Sequence, residues 1–318
     1  MNVTSLDRPP GRAPRKGVVW IPGGVFAMGS EDFYPEERPV HRVHVDGFWI
    51  DEQPVTVAQF RRFARATGHV TFAEVDPEAD AYPGAEPADL VPGSLVFTPP
   101  RQAVPLDDVR RWWSWVPGAD WRHPEGPGSD VQGRDLHPVV HIGVSDAEAY
   151  AAWVGAELPT EAEWERAARG GLEAAPYTWG DDPNPRRPMA NTWQGRFPWE
   201  NTGQDGFLRT SPVKSYPPNG YGLYDMAGNV WEWTADHFRV QHSDDVESPC
   251  CVPRNPRVVD EDLPGPDPAR IARRVIKGGS HLCAPSYCLR YRPAARQAQE
   301  VDTSTSHLGF RCVVRSPS

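Results

Sequence analysis

The sequence is poor in cysteine and has no long apolar run. Its five cysteines in 318 residues are an odd number, which fits a reducing compartment better than a disulfide scaffold. No stretch approaches the ~20 apolar residues of a membrane span, and residues 1–16 lack the hydrophobic centre of a signal peptide. We therefore expect a cytoplasmic protein without a membrane partner.

Positive charge is also in deficit. Lysine and arginine total 33 against 43 aspartates and glutamates, which gives a net charge of -10 at pH 7. This balance argues against binding to a phosphate backbone, so no nucleic acid is expected as a partner. A cationic partner is compatible with the charge, although on charge alone an ordinary acidic soluble protein is the better explanation.

Proline, glycine and tryptophan are abundant instead. The chain has 36 Pro, 28 Gly and 13 Trp. Because Pro and Gly interrupt helices and strands, we expect much irregular structure around short elements, held together by buried tryptophans. No break in composition marks a linker. The sequence predicts one α+β domain over residues 17–318, preceded by a disordered tail at residues 1–16.

Three segments carry the same helix-start signal, a Ser or Thr followed three residues later by Glu or Gln. The signals begin at Thr56, Ser145 and Thr160. A glycine about ten residues further on predicts the end of each helix. These glycines are Gly68, Gly155 and Gly170. Helices this short exclude a helical bundle.

Apolar and β-branched runs predict the strands. "GVVWIPGGVFAMGS" indicates two short strands, and "HRVHVDGFWIDEQPVT" indicates one more. "RRVIKGGSHLC" and "SHLGFRCVVR" are typical of late strands. The acidic, Pro-rich stretch at residues 74–106 is predicted to be a surface loop.

Cys283 and Cys288 stand five residues apart in "GGSHLCAPSYCLRYR". Pro285 between them disfavours a helix, so the two thiols can meet only through a bend. The spacing leaves three outcomes open: a disulfide or redox pair, a soft metal ion such as Cu(I), or two unrelated cysteines. Zinc is disfavoured, because the other three cysteines form no convincing second pair of ligands.

Five motifs change the balance among these outcomes. In chain order they are "WIPGGVFAMGS", "LPTEAEWERAARGG", "NGYGLYDMAGNVWEWTAD", "RRVIKGGSHLCAPSYCLRYRPAARQ" and "SHLGFRC". From about Trp20 to Arg315 the chain resembles the formylglycine-generating enzyme (sulfatase-modifying factor) family. Motifs such as "GNVWEW" mark only the fold of the wider superfamily, whereas the cysteine-bearing segment marks its oxidases.

The resemblance implies a fold and an activity. The fold is a single compact α+β domain, poor in regular structure and distantly like a C-type lectin. The activity is that of a copper-dependent oxidase, which uses O2 to convert a cysteine to Cα-formylglycine. Its substrate is an unfolded sulfatase polypeptide that carries a Cys-x-Pro-x-Arg segment.

The resemblance also implies residue roles at the site. Cys283 and Cys288 match the Cu(I)-binding cysteines. A Cu(I) ion with two ligands leaves room for the substrate thiol as a third ligand. Ser280 and Tyr287 match positions that line the oxygen pocket, and Trp231 matches an aromatic residue beside it. Without the resemblance, these three residues would be a turn serine, a half-buried tyrosine and a core tryptophan.

Calcium is the second cofactor that the resemblance implies. The first ligand set is Asn191 and Asp205 with the backbone oxygens of Thr192 and Phe207. The second set is Asp225 and Glu232 with the backbone oxygens of Gly228 and Val230. Ca²⁺ takes six to eight oxygen ligands and tolerates irregular loops, which suits these turn-rich segments. Read without the resemblance, both segments are ordinary Asx turns.

The remaining cysteines receive structural interpretations. Cys312 matches one half of a disulfide in secreted relatives, but "YAAW" at residues 150–153 has no cysteine to pair with it. We therefore expect a free buried thiol at Cys312. The adjacent Cys250 and Cys251 are expected to be plain loop cysteines rather than a strained vicinal disulfide.

Two other functions stay open at this point. A sulfoxide synthase of the ergothioneine type shares the fold, but it usually adds a helical bundle with iron-ligand histidines before the shared domain. A non-catalytic binding module is the second alternative, against which the presence of both cysteines argues. We also expect the substrate arginine to dock in an acidic groove near residues 121–129.

Overall fold

The computed structural model describes residues 9, 11–79, 82, 84, 86, 90–242, 252–260 and 271–315. Its strands are short, as the Gly and Pro content predicts. They are β1 (Val18–Ile21), β2 (Gly24–Met28), β3 (His41–Val45), β4 (Phe48–Asp51), β5 (Gly93–Phe97), β6 (Trp113–Pro117), β7 (Trp231–His237), β8 (Arg273–Lys277), β9 (Arg296–Glu300), β10 (Leu308–Gly309) and β11 (Val313–Arg315). The α-helices are α1 (Val57–Thr67), α2 (Val144–Trp153) and α3 (Glu161–Arg169).

The strands form four small sheets. One has the order β1-β4-β11, another has the order β10-β7-β8-β9, and β2-β3 and β5-β6 are two-stranded. The β7–β10 pair is parallel and the other pairs are antiparallel. Few helices and mixed sheets confirm the predicted α+β class with little regular structure.

Two helices begin and end where the sequence predicts. Thr56 caps α1 through a reciprocal capping box, and Gly68 ends it at φ 72°. Thr160 and Gly170 do the same for α3. The prediction for α2 is wrong at its start: Gly143 is the N-cap, and its N–H donates to the Asp146 carboxylate at 2.9 Å. The helix therefore begins ahead of the Ser145 signal.

Two strand predictions need correction. "HRVHVDGFWID" forms two strands, β3 and β4, because the chain turns at Asp46 and Gly47. A Cβ at Gly47 would lie 2.3 Å from the Trp20 ring, so this turn requires glycine. The predicted loop at residues 74–106 contains β5, which pairs along its length with β6.

Three apolar clusters hold the elements together. The largest packs α1 and α2 against β7 and β8, with Phe60, Tyr150 and Trp233 among its members. A second packs α3 against β1 to β4 around Trp164. Four tryptophans are among the largest fully buried side chains, which confirms their predicted role. They are Trp112, Trp164, Trp231 and Trp233.

The third and smallest cluster positions the candidate site. It joins β5 and the segment before β6 to the loops that carry Trp193, Phe197 and Leu282, and Tyr287 packs against it. Aromatic rings therefore support the cysteine-bearing segment from one side. These rings come from parts of the chain far apart in sequence.

The predicted domain limits stay predictions. Within the predicted tail, Arg15 forms an ion pair with Asp51 at 2.5 Å. Across the described residues, no helix has the length and apolar character needed to cross a bilayer. The cytoplasmic location also stays a prediction.

Candidate active site

A tight turn after β8 carries the first cysteine. Gly278 and Gly279 have φ values of 94° and 69°, a region that favours glycine. A Cβ at Gly278 would lie 3.0 Å from the Trp164 ring, so the turn packs closely on α3. The N–H of Trp193 donates to the Cys283 carbonyl at 3.0 Å. Neighbouring loops thus fix the backbone at Cys283.

The two cysteines of the pair meet through a second turn. The N–H of Cys288 donates to the Ala284 carbonyl at 2.8 Å, so the chain reverses between them. Their sulfurs are 3.1 Å apart, longer than the ~2.05 Å of a disulfide. Both are free thiols, Cys283 buried and Cys288 half-buried. The structure thus brings together the two sulfurs that the sequence analysis singled out.

The two thiols have opposite environments. Burial raises the pKa of Cys283 well above its usual value. The hydrogen bond from Cys283 lowers the pKa of Cys288, with help from the nearby Arg290 guanidinium. Cys288 therefore loses its proton more readily than Cys283. A thiolate sulfur is a ligand that soft cations prefer.

A cavity of about 300 Å³ opens beside the sulfurs. Five predicted catalytic residues line it: Trp231, Ser280, Cys283, Tyr287 and Cys288. Their roles stay predictions, but the structure places them around one space. A small thiol-bearing side chain fits a cavity of this size.

The hydroxyl-bearing residues of the pocket are held firmly. The Tyr287 ring stacks on Phe197 with centroids 4.5 Å apart and meets the edge of Trp112. Burial raises the pKa of Tyr287, so it stays a neutral hydroxyl at physiological pH. Ser280 is fully buried, and its oxygen accepts from the Leu282 N–H at 3.2 Å. Each hydroxyl keeps its own proton for a further partner.

Three polar residues of the lining were not predicted from the sequence: Arg290, Gln297 and His307. His307 Nδ1 lies 2.6 Å from the Thr305 hydroxyl, and its ring packs 4.8 Å from that of Trp113. Burial lowers the pKa of His307 well below its usual value, so the imidazole is neutral. No local pattern distinguishes this histidine from a core residue, whereas the basic run around Arg290 was a usable signal.

The first predicted calcium set lies in oxygen-rich turns. Asn191 donates its amide N–H to the Arg209 carbonyl at 2.9 Å, which leaves the amide oxygen for another partner. The Asp205 carboxylate accepts from the Phe207 N–H and the Tyr216 hydroxyl, and the contact with Asp205 helps burial to raise the pKa of Tyr216. Oxygens of this type fit a hard cation.

The second predicted calcium set fits less well. Burial raises the pKa of Asp225, whose oxygens accept from the Lys214 N–H and the Asn229 amide. Glu232 is fully buried, and both its oxygens accept from Arg311, at 2.6 and 2.7 Å. Because this guanidinium already compensates the charge of Glu232, the carboxylate fits an ion pair better than a calcium site.

Three other predictions have mixed outcomes. Cys312 is a buried free thiol, as expected. Cys250 and Cys251 lie outside the described residues. The acidic groove near residues 121–129 stays a prediction; within it, Glu125 is paired with Arg134 at 2.8 Å. Among the described residues that line the pocket, none comes from 121–129.

Together, fold and pocket define an α+β protein with a paired-cysteine site. The chain belongs to the family of the sulfatase-modifying factor enzyme 1-like domain, whose model matches residues 6–316. This confirms the family resemblance seen in the sequence.

The relatives include proteins named formylglycine-generating enzyme. The one from Mycobacterium tuberculosis is 54% identical over 93% of this chain and 97% of its own length. The one from Streptomyces coelicolor is 48% identical over 95% and 91%. Among solved structures, PvdO from Pseudomonas aeruginosa matches with a TM-score of 0.61, 24% identity and 93% coverage of both chains. This last likeness shows a shared fold.

Proposed function

We propose that this chain is an oxidase that converts a peptide cysteine to Cα-formylglycine with O2. The proposed substrate is the Cys-x-Pro-x-Arg segment of an unfolded sulfatase. Support comes from the named relatives at 54% and 48% identity and from the family match. The observation that carries the proposal is the pair of sulfurs 3.1 Å apart at the wall of a pocket.

The donor set fits Cu(I). This ion prefers thiolates and accepts two of them, which leaves a position for a third sulfur. Cys283 and Cys288 would hold it. When bound, copper supplies a one-electron partner for O2, which reacts slowly with closed-shell thiols. Among the described residues, no cluster of three or more His, Cys, Asp or Glu side chains offers a competing site for this ion.

The other pocket residues act on the substrate and its surroundings. Trp231 is nearly fully buried and, with the stacked Tyr287 ring, limits the access of water to the reacting carbon. The hydroxyls of Ser280 and Tyr287, which line the same cavity, would donate hydrogen bonds to an anion formed when O2 is reduced. A substrate thiol bound as the third metal ligand would already hold its carbon close to the site of reaction.

Electron balance adds one requirement to the reaction. Conversion of the CH2–SH group and water to an aldehyde and hydrogen sulfide releases two electrons and two protons. Reduction of O2 to two waters consumes four electrons and four protons. An external thiol pair that becomes a disulfide supplies the difference. Full reduction of O2 to water therefore requires a thiol reductant in the reaction mixture.

Calcium is proposed as a structural ion. The first set, Asn191, Thr192, Asp205 and Phe207, offers the better site, because the two donors to its carboxylate, the Phe207 N–H and the Tyr216 hydroxyl, are neutral. At the second set, the proposal is limited to Asp225 and the Gly228 and Val230 carbonyls, since Glu232 is paired with Arg311.

The test is an assay of purified, copper-loaded chain with a Cys-x-Pro-x-Arg peptide, a thiol reductant and air. Mass spectrometry is expected to show replacement of the thiol by an aldehyde. Cys283→Ser and Cys288→Ser should each abolish turnover, because each removes one of two metal ligands. Cys312→Ala, which alters a buried thiol in the core, should retain it.

Two outcomes would count against the proposal. A cysteine variant with full rate would remove that residue from the site. If the wild-type chain bound the peptide without converting it, the non-catalytic binding module would be the better assignment.

A further inference from the structure

An aromatic and acidic segment near the N-terminus contacts the residues that follow Cys288. The Tyr34 hydroxyl accepts from the Leu289 N–H at 3.0 Å. The Arg290 guanidinium lies 3.8 Å from the centroid of the Tyr34 ring. Arg290 also donates to Glu36 at 2.6 Å. We call Tyr34, Glu36 and Arg290 the clamp.

Contacts of Arg292 hold the same two segments together next to the clamp. Arg292 lies 3.6 Å from the Phe33 ring centroid and pairs with the Glu37 carboxylate, both charges being fully buried. Its Nε also donates to the Leu289 carbonyl at 2.7 Å. Leu289 therefore has its N–H held by Tyr34 and its C=O held by Arg292. Both peptide groups of the residue next to Cys288 are fixed.

Fixing Leu289 restricts the backbone that aims the Cys288 side chain. Cys283 is fixed separately, by the bond from Trp193 to its carbonyl. The separation of the two sulfurs thus depends on two independent supports. Groups that orient a metal ligand without touching the metal typically contribute 10- to 100-fold in metal affinity.

We propose that Tyr34, Glu36 and Arg290 are positioning residues, which hold Cys288 at the distance from Cys283 that a shared soft metal ion requires. The inference rests on the proposed function, since it gives the cysteine pair a metal to bind. The half-buried Tyr34 and Glu36 lie outside the three apolar clusters. Loss of one polar group from either leaves those clusters intact.

The test compares Cu(I) affinities of four variants with the wild-type chain, by competition with a chromophoric Cu(I) chelator. Tyr34→Phe removes the acceptor for Leu289 and keeps the ring under Arg290. Glu36→Gln removes the charge that holds Arg290. The matched controls are Tyr82→Phe and Glu200→Gln. In the wild-type chain the Tyr82 hydroxyl donates to Asp302, and Glu200 pairs with Arg196.

Each clamp variant should bind Cu(I) roughly 10-fold more weakly, and the controls should match the wild type. The midpoint of thermal unfolding of the metal-free chain should stay close to that of the controls. Clamp variants that bind like the wild type would overturn the inference. So would a lower unfolding midpoint with unchanged affinity, since that is the effect of a merely structural contact. A wild-type chain that fails to bind Cu(I) would instead overturn the proposed function, and this inference with it.

Discussion

At the scale of single residues, the site depends on contrasts between neighbours of the same type. Cys283 is buried and keeps its proton, whereas Cys288 is half-buried beside Arg290 and loses its proton more readily. Ser280 and Tyr287 line the same cavity, one from a buried turn and one from an aromatic stack. The polar atoms of the pocket therefore lie beside a cluster of packed aromatic rings.

Tyr287→Phe tests the contribution of one of these atoms. The substitution keeps the ring on Phe197 and removes only the hydroxyl, so thermal stability should change little. The kcat for formylglycine formation should fall by roughly 100-fold, as for loss of a donor to a developing anion. Steady-state kinetics with the peptide substrate would measure this. Tyr177→Phe, in an aromatic stack with Trp179, is the control, and an unchanged kcat for Tyr287→Phe would contradict the assigned role.

At the scale of elements, the sequence predicted the helix ends that are fixed by hydrogen bonds between near neighbours in the chain. Thr56 and Thr160 cap helices through hydrogen bonds three residues away, so the sequence pattern suffices. The predicted start of α2 was wrong because the Asp146 carboxylate accepts from the Gly143 N–H, which moves the N-cap to Gly143 and ahead of Ser145. Two signals that overlap within three residues cannot be ranked from sequence alone.

Elements that depend on distant partners were harder to predict. β5 lies in a Pro-rich, acidic stretch, and it forms a strand because β6 and the segment around Thr305 supply hydrogen-bond partners. The break between β3 and β4 follows from the approach of Trp20 to Gly47. Neither partner can be identified from the residues of the strand itself.

The calcium loops give an element-scale prediction. Addition of Ca²⁺ should raise the thermal unfolding midpoint of the wild-type chain. At a hundredfold excess over its dissociation constant, a bound ion contributes about 2.7 kcal/mol to the free energy of unfolding. Asp205→Asn should lose most of this gain, because it removes the charged ligand of the first set. Differential scanning calorimetry with Ca²⁺, Mg²⁺ and chelator would measure it.

The control for this prediction is Glu200→Gln. Glu200 is an exposed carboxylate that pairs with Arg196, and it lies between Asn191 and Asp205 in the sequence. It should keep the full calcium response. If the wild-type chain has the same unfolding midpoint in Ca²⁺ and in chelator, calcium is not a structural ion of this protein.

At the scale of the whole molecule, the site assembles from segments far apart in the chain. Tyr34 lies 255 residues before Leu289, and Trp193 reaches Cys283 from a different loop. The sequence could predict the cysteine pair, because its members are five residues apart and sit in a family motif. It could not predict the clamp, since only the folded chain brings residues 33–37 onto residues 289–292.

X-ray absorption at the copper edge, on the chain loaded with one Cu(I), shows directly whether Cys283 and Cys288 share the ion. Two sulfur ligands are expected in the loaded chain, and a third after addition of the cysteine-containing peptide. Cys283→Ser should lose one sulfur and fail to gain the peptide thiol in the same geometry. Copper bound mainly by nitrogen or oxygen, or a spectrum unchanged by Cys283→Ser, would contradict a shared site at the two cysteines.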